Sequence, residues 1–324
     1  MKKFAFMAVL VIGSLFTSGR SGVACDFCLL SQGISPLDTM KGTGIKISER
    51  YTVLDQVYQG TSEKTNPGAK ETHWTTEFTG FYGISPVFMV MGVVPYKKGR
   101  TSGEADMTTT PPTLDPAMAG DASGLGDVVL LGRYTFLKTE APDATDVLAA
   151  VFGVKFSTGR TDARTSDGMN YLDSHLQPGT GSTDYLLGLS YSHALQRFSL
   201  SANLLGTITT EGKFGATKHQ FGNTLNYDVT GKYRVVPEAF TPTKPQVFAA
   251  LGVNGEVRNR EKEDGVTVPD SGGNTIYLSP GLQVVFAPHW VVDLSYQHAI
   301  YHNLYGTQLG ETYKVITGVT YLFL

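Results

Sequence analysis

The chain has 324 residues, a formal net charge of -3, 17% charged residues and two cysteines, and its mean hydropathy is -0.07. Near-neutrality leaves no electrostatic footprint for nucleic acid, and two thiols alone cannot complete a four-ligand zinc site. No Walker, Gly-x-Ser-x-Gly or His-Glu-x-x-His pattern occurs, so the chain reads as a non-enzyme without a metal or other cofactor.

The N-terminus is a targeting segment. Lys2 and Lys3 precede an apolar run from Phe4 to Phe16, and small residues end at Gly22-Val23-Ala24. This is the layout of a Sec signal cleaved near Ala24. The run is too short to cross a bilayer as a helix; an uncleaved anchor is the alternative. Cys25 and Cys28 follow as Cys-Asp-Phe-Cys, with Leu29 where a c-type haem site needs His. In an oxidising periplasm the pair reads as a local disulfide. A redox or metal-contacting pair is a second reading. Lipidation of Cys25 is a third, against which stands Gly22, where a lipobox wants an aliphatic residue. Asp26 to Lys41 is too polar for a strand, yet carries Phe27, Leu29, Leu30 and Ile34. It either folds into the periplasmic mouth as a plug or is a leader before the first strand.

From Gly44 to the end, short stretches alternate apolar and polar residues between turn signals. About twelve strands are expected: Gly44 to Leu54, Lys70 to Gly83, Val87 to Lys97, Leu125 to Lys138, Val147 to Ser157, Thr183 to Ala194, Arg197 to Thr210, Lys218 to Val236, Gln246 to Arg258, Thr275 to Ala287, Trp290 to Tyr301 and Thr312 to Phe323. Short turns follow even strands at Ser85-Pro86, Leu195-Gln196 and Pro288-His289. Long polar loops follow odd ones at Gln56 to Ala69, Gly99 to Ser123, Gly159 to Ser182 and Asn259 to Asn274. No window after the signal offers the roughly eighteen apolar residues of a membrane helix. The pattern is that of an all-β, antiparallel transmembrane β-barrel with both termini in the periplasm. The chain divides into a signal peptide (1–24), an N-terminal segment (25–41) and the barrel (42–324). A soluble sandwich also alternates, but its strands average about five or six residues.

Alternation assigns the faces. Leu225, Tyr227, Val229, Tyr233 and Val235 point to lipid, whereas Asp228, Lys232 and Arg234 point to the lumen. The expected lumen charges are Lys46, Arg50, Glu77, Asp127, Arg133, Lys155, Asp184, Asp228, Lys232, Arg234, Glu256, Asp293 and Lys314. A ring of one sign would argue for an ion-selective pore. Mixed signs in a narrow barrel pair across it and brace it; a substrate path is the alternative. Asp127, Arg133, Asp228, Lys232, Arg234 and Asp293 are the permeation candidates. Met89, Met91, Val93, Leu131 and Val151 also fall on lumen positions, an apolar patch suited to a small hydrophobic solute or to an inward plug. Tyr296 to His302 reads as an interfacial girdle, and His298, on the lipid side, has no neighbouring Ser to make a lipase pair.

Two resemblances follow. Gly318, Tyr321 and Phe323 are spaced like the C-terminal signal read by the barrel-assembly machinery, with Leu324 one residue beyond. This implies assembly in a Gram-negative outer membrane. Gly124-Leu-Gly-Asp127-Val-Val-Leu-Leu-Gly-Arg133-Tyr134 resembles a recurring motif of a bacterial barrel family labelled for the meta-pathway of phenol degradation, whose members are often described as transporters. The resemblance implies a porin-like channel in outer-membrane lipid for passive passage of small, aromatic or hydrophobic molecules. The alternative is a structural barrel that docks a periplasmic redox protein through Cys25 and Cys28.

Overall fold

A computed structural model describes residues 42–107, 109–142, 144–238, 244–286 and 289–323. The signal peptide, Cys25, Cys28 and the 25–41 segment lie outside the described residues. Thirteen strands form one sheet: β1 (Thr43–Gly60), β2 (Ser62–Lys64), β3 (Glu71–Ser85), β4 (Phe88–Thr101), β5 (Gly120–Leu125), β6 (Val129–Glu140), β7 (Ala144–Lys155), β8 (Asp184–Leu195), β9 (Phe198–Ile208), β10 (Thr224–Val236), β11 (Gln246–Arg258), β12 (Gly273–Phe286) and β13 (Trp290–Phe323). Successive long strands pair antiparallel, and β13 pairs with β1 to close the ring. Eleven strands make the closed path; β2 lies on β1 and β5 on β4.

The outer wall is apolar and exposed, with Phe78, Leu130, Tyr185, Val229, Leu251 and Leu294 among its side chains. Their neighbours in sequence point inward and are buried. A wall of this kind seeks hydrocarbon, since water would leave a large apolar surface uncovered. Closure satisfies the other demand of hydrocarbon, that no backbone N–H or C=O be left unpaired.

β13 doubles back on itself. Residues up to Leu304 pair with β12 and residues from Leu304 onward pair with β1. The Leu322 N–H donates to the His289 carbonyl at 2.8 Å, and the Tyr296 and Tyr313 rings are 5.8 Å apart. The reversal falls at Tyr305-Gly306, where Gly306 takes φ +65°, a conformation that glycine adopts at no steric cost. Strand therefore occupies the stretch between Tyr301 and Thr312 that alternation alone leaves as loop.

Three further boundaries differ from expectation. Strand begins again at Gly120, ahead of the expected Leu125, and breaks at residues 126–128 opposite Pro95. Proline has no N–H to give the ladder, and the Gly126 N–H reaches the Pro95 carbonyl at 2.8 Å. The expected strand from Lys218 divides at residues 221–223, because Gly222 passes so close to the Asn259 carbonyl that a Cβ would stand 1.8 Å from its oxygen. Residues Thr217–Gln220 join Gly212–Phe214, Lys262–Glu263 and Val266–Thr267 in a separate four-stranded sheet at the loop end. Asp264 and Gly265, both with positive φ, form its tight turn. Finally, Ile300 is an extra residue opposite Ile276 and Tyr277, a β-bulge. A bulge of one residue exchanges the faces beyond it, so His302 points inward and is buried, whereas His298 stays outside.

Val229→Arg, at mid-height on the outer wall, should destabilise the barrel by about 2–4 kcal/mol, read by denaturant unfolding in lipid vesicles. Unchanged stability would mean that this face does not meet hydrocarbon.

Candidate permeation lumen

Alternation along each strand carries the polar set inward, and the structure brings most of it into ion pairs. Lys155 on β7 lies between two carboxylates, 2.5 Å from Asp184 and 3.3 Å from Asp127, with all three side chains 2–3% exposed. Asp127 also accepts from the Gly159 N–H and the Thr180 N–H, both at 2.8 Å, and from the Thr180 hydroxyl at 2.6 Å. Asp184 accepts from the Thr210 N–H at 2.9 Å. This triad ties the walls of β7 and β8 to the bases of the loops around residues 159, 180 and 210.

Asp293 accepts from Gln283 at 2.8 Å and meets Lys46 at 3.4 Å, so a charge on β1 reaches over the second half of β13 to its first half. Gly318 lies under that path: a Cβ there would stand 2.6 Å from Lys46 Cε. Arg50 and Glu77 pair at 3.5 Å. Asp228 accepts from Asn203 at 3.0 Å. Lys232 and Arg234 are buried on the same wall. Arg133 is half-buried and donates to Thr135 at 3.2 Å. Lys314 pairs with Glu311 at 2.7 Å and stands over the Tyr277 ring, whose hydroxyl also donates to Glu311. Glu256 pairs with Arg258. Asn203 falls on the inward face that alternation assigns to its strand, whereas Glu311, Arg258 and the amides Gln283 and Asn254 were not among the expected lumen residues. Their alternation places them inward, but uncharged or strand-end positions gave them no separate signal.

The predicted apolar lumen positions come together. Met89, Met91, Val93, Leu131 and Val151 form one buried cluster with Phe81, Val129, Leu186 and Leu205. Cross-strand register lays them in rows: Phe81, Met91 and Leu131 continue through Gly153 to Leu186, and Met89, Arg133 and Val151 through Gly188 to Leu205. The two glycines make the room. A Cβ on Gly153 would meet Leu131 Cδ2 at 2.5 Å, and one on Gly188 would meet Leu205 Cδ1 at 3.0 Å. The patch occupies β3, β4 and β6–β9, next to the Asp127–Lys155–Asp184 triad on the same inner face and on its side away from the long loops. The wall from β10 round to β1 is polar and charged.

At the loop end a buried carboxylate joins three loops. Glu261 lies 3.1 Å from His175 Nε2 and 3.2 Å from His219 Nε2, and the Phe221 ring packs edge-on against both imidazoles. Burial pushes the Glu261 carboxyl up, but the charge and hydrogen bonds of His175, joined by those of His219, outweigh it and hold the group at about 2. Among the described residues no cluster has metal-holding geometry.

The C-terminal residues divide by face. Gly318 points inward, whereas Tyr321 and Phe323 lie on the outer wall with Trp290, their rings 4.8–5.2 Å apart in edge contacts. Together they form part of an aromatic band beside the short turns.

A closed antiparallel barrel with an apolar exterior and a paired, charged interior is a membrane-spanning β-barrel. The family model described as "Putative MetA-pathway of phenol degradation" matches residues 55–313. The chain belongs to that family. In fold it is similar to the COG4313 outer membrane channel from Pseudomonas putida F1, with TM-score 0.67 and 15% identity over 89% of this chain and 98% of that one. The transport unit of the autotransporter AIDA-I from Escherichia coli aligns at TM-score 0.44 and 11% identity, covering 90% and 93%. The CymD monoaromatic hydrocarbon channel aligns at 0.41 and 10%, covering 94% and 97%. These two alignments are too loose to bear on this chain. Among curated proteins none matches it in sequence.

Lys155→Met should cost about 3–5 kcal/mol, because Asp127 and Asp184 then share a buried site without their cation; unfolding in vesicles measures it. Because the Glu261 carboxyl is depressed when folded, its contribution is full above the ordinary value of 4.5 and is lost as pH falls toward about 2. Pepsin cleavage within residues 259–272 should rise across that window, and Glu261→Gln should be cut already at its upper end. A flat wild-type profile would count against the loop clip.

Proposed function

We propose that this chain is a passive outer-membrane channel for small, apolar or aromatic molecules. The observation that carries the reading is the apolar patch inside the barrel. A general porin keeps a polar, water-filled interior. On this reading a passing solute runs along the side of the barrel that carries Met91, Leu131 and Val151, a cluster that is packed and buried in this structure. Burying about 100 Å² of apolar solute surface is worth roughly 2–3 kcal/mol, enough to favour entry and weak enough to permit exit. The triad and the Lys46–Asp293 pair keep the wall rigid around this path.

On this reading the two halves of β13 count separately and β5 continues into β6, which makes twelve crossings with both termini at the short-turn end, in the periplasm. Gram-negative export by a cleaved signal (1–24), a 25–41 segment at the periplasmic mouth, and assembly through Gly318, Tyr321 and Phe323 complete the proposal. The inward position of Gly318 beneath Lys46 gives that residue a second, steric role. The redox-docking alternative depends on Cys25 and Cys28, which lie outside the described residues.

Met91→Asp combined with Val151→Asp should slow entry of an uncharged monoaromatic alcohol into proteoliposomes severalfold, while a sugar of similar size enters no more slowly. Equal effects on both solutes would refute the apolar path. Charge reversal at Arg133 or Arg234 should shift ion selectivity in planar bilayers; no shift at either site removes both from the conducting path.

A further inference from the structure

The outer wall of β1, β3, β4 and β5 changes chemistry in steps as it rises toward the long loops. Cross-strand register defines rows about 7 Å apart, two residues along each strand. Ile47, Phe78 and Val94 make an exposed apolar row. Above it come Glu49, Thr76, Tyr96 and Leu125. Next stand Tyr51, Trp74, Lys98 and Ser123, and then Thr72, Arg100 and Asp121. Hydrocarbon-compatible residues thus give way to an aromatic band and then to two cations on alternate positions of one rigid strand.

The last two rows form a shallow pocket of about 430 Å³, walled by Tyr51 and Trp74 and by Lys98, Arg100 and Asp121. The Tyr51 and Trp74 rings meet edge-on at 5.7 Å. Glu49, the acid below, is occupied: Thr76 donates to it at 2.9 Å and the Trp74 indole N–H also points to it. Among the described residues neither Lys98 nor Arg100 has an ion-pair partner; with Asp121 the lining residues carry one net positive charge, and the Glu49 carboxylate lies in the row below. On β8, β9, β10 and β11 the outward residues next to the loops are Tyr185, Ile208, Leu225 and Val257, apolar or aromatic throughout.

We propose that Lys98 and Arg100 bind a phosphate-bearing lipid headgroup of the external leaflet, with Trp74 and Tyr51 against the base of its acyl chains. Trp and Tyr mark the headgroup level, which sets the two cations at the depth of lipid phosphates. Arg supplies a forked donor for phosphate and Lys a point charge. The proposal rests on the outer-membrane reading above, because it takes the long-loop end as external.

The test uses the full-length barrel in detergent and native mass spectrometry with diphosphorylated lipid A, its dephosphorylated analogue and inorganic phosphate. Wild type should retain the diphosphorylated lipid, lose the dephosphorylated one and ignore inorganic phosphate at equal concentration. Lys98→Ala with Arg100→Ala should weaken retention by about fivefold for each cation removed, with conductance unchanged because both side chains lie outside the lumen. Should the double variant not fold, Arg100→Gln alone should show the single step. Retention that is insensitive to phosphate or to these substitutions would overturn the proposal, as would displacement of the lipid by inorganic phosphate. Failure of the wild type to conduct would instead count against the channel reading, since lipid retention does not depend on an open lumen.

Discussion

Hydrocarbon offers no hydrogen-bond partner, and that constraint organises this molecule. Each backbone group at membrane depth must find its mate within the sheet, so the pairing of β1 with the second half of β13 is the contact on which the others depend. The inside of the seam is reinforced by side chains. Lys46 crosses it to Asp293, and Gly318 stays bare so that it can. An ion pair is a weak source of net stability when buried, but this one favours a single register, because a one-residue slip of β1 would turn Lys46 away from Asp293 and toward lipid.

The interior is divided by chemistry more than by shape. On one side, leucine, methionine and valine interlock over Gly153 and Gly188. On the other, amide and carboxylate groups answer each other across adjacent strands. Above the apolar side, Lys155 holds two aspartates that also accept from loop groups, Asp127 from the Gly159 and Thr180 N–H groups and the Thr180 hydroxyl, and Asp184 from the Thr210 N–H. That arrangement transmits the rigidity of the barrel to the loops, and Glu261 with its two histidines does the same among the loops themselves.

Much of this was legible in the sequence, because a strand's period of two is also the period of its environment. Alternation assigned Asp228, Lys232, Arg234 and Asp293 to the interior, and the five apolar lumen positions with them. It erred where the period breaks. The Ile300 bulge moved His302 from the expected girdle to the lumen, since no residue type announces an unpaired insertion. Pro95 did carry a signal for the break at residues 126–128, but it acts across the sheet, from a strand whose register was not yet known. The clip of His175, His219 and Glu261 lay beyond sequence reasoning altogether. Its members come from three loops, and only the folded barrel brings those loops to one side.

If the proposed channel conducts, its two-sided lumen has a consequence for any solute that crosses it. A solute with one greasy flank and one hydroxyl or carboxylate would not tumble freely. It would travel with its ring edge toward β4, β6 and β7 and its polar substituent toward β10 and β13. Discrimination would then follow the placement of substituents around a ring, so that ortho and para isomers of equal bulk and equal polarity would traverse the same barrel at different speeds.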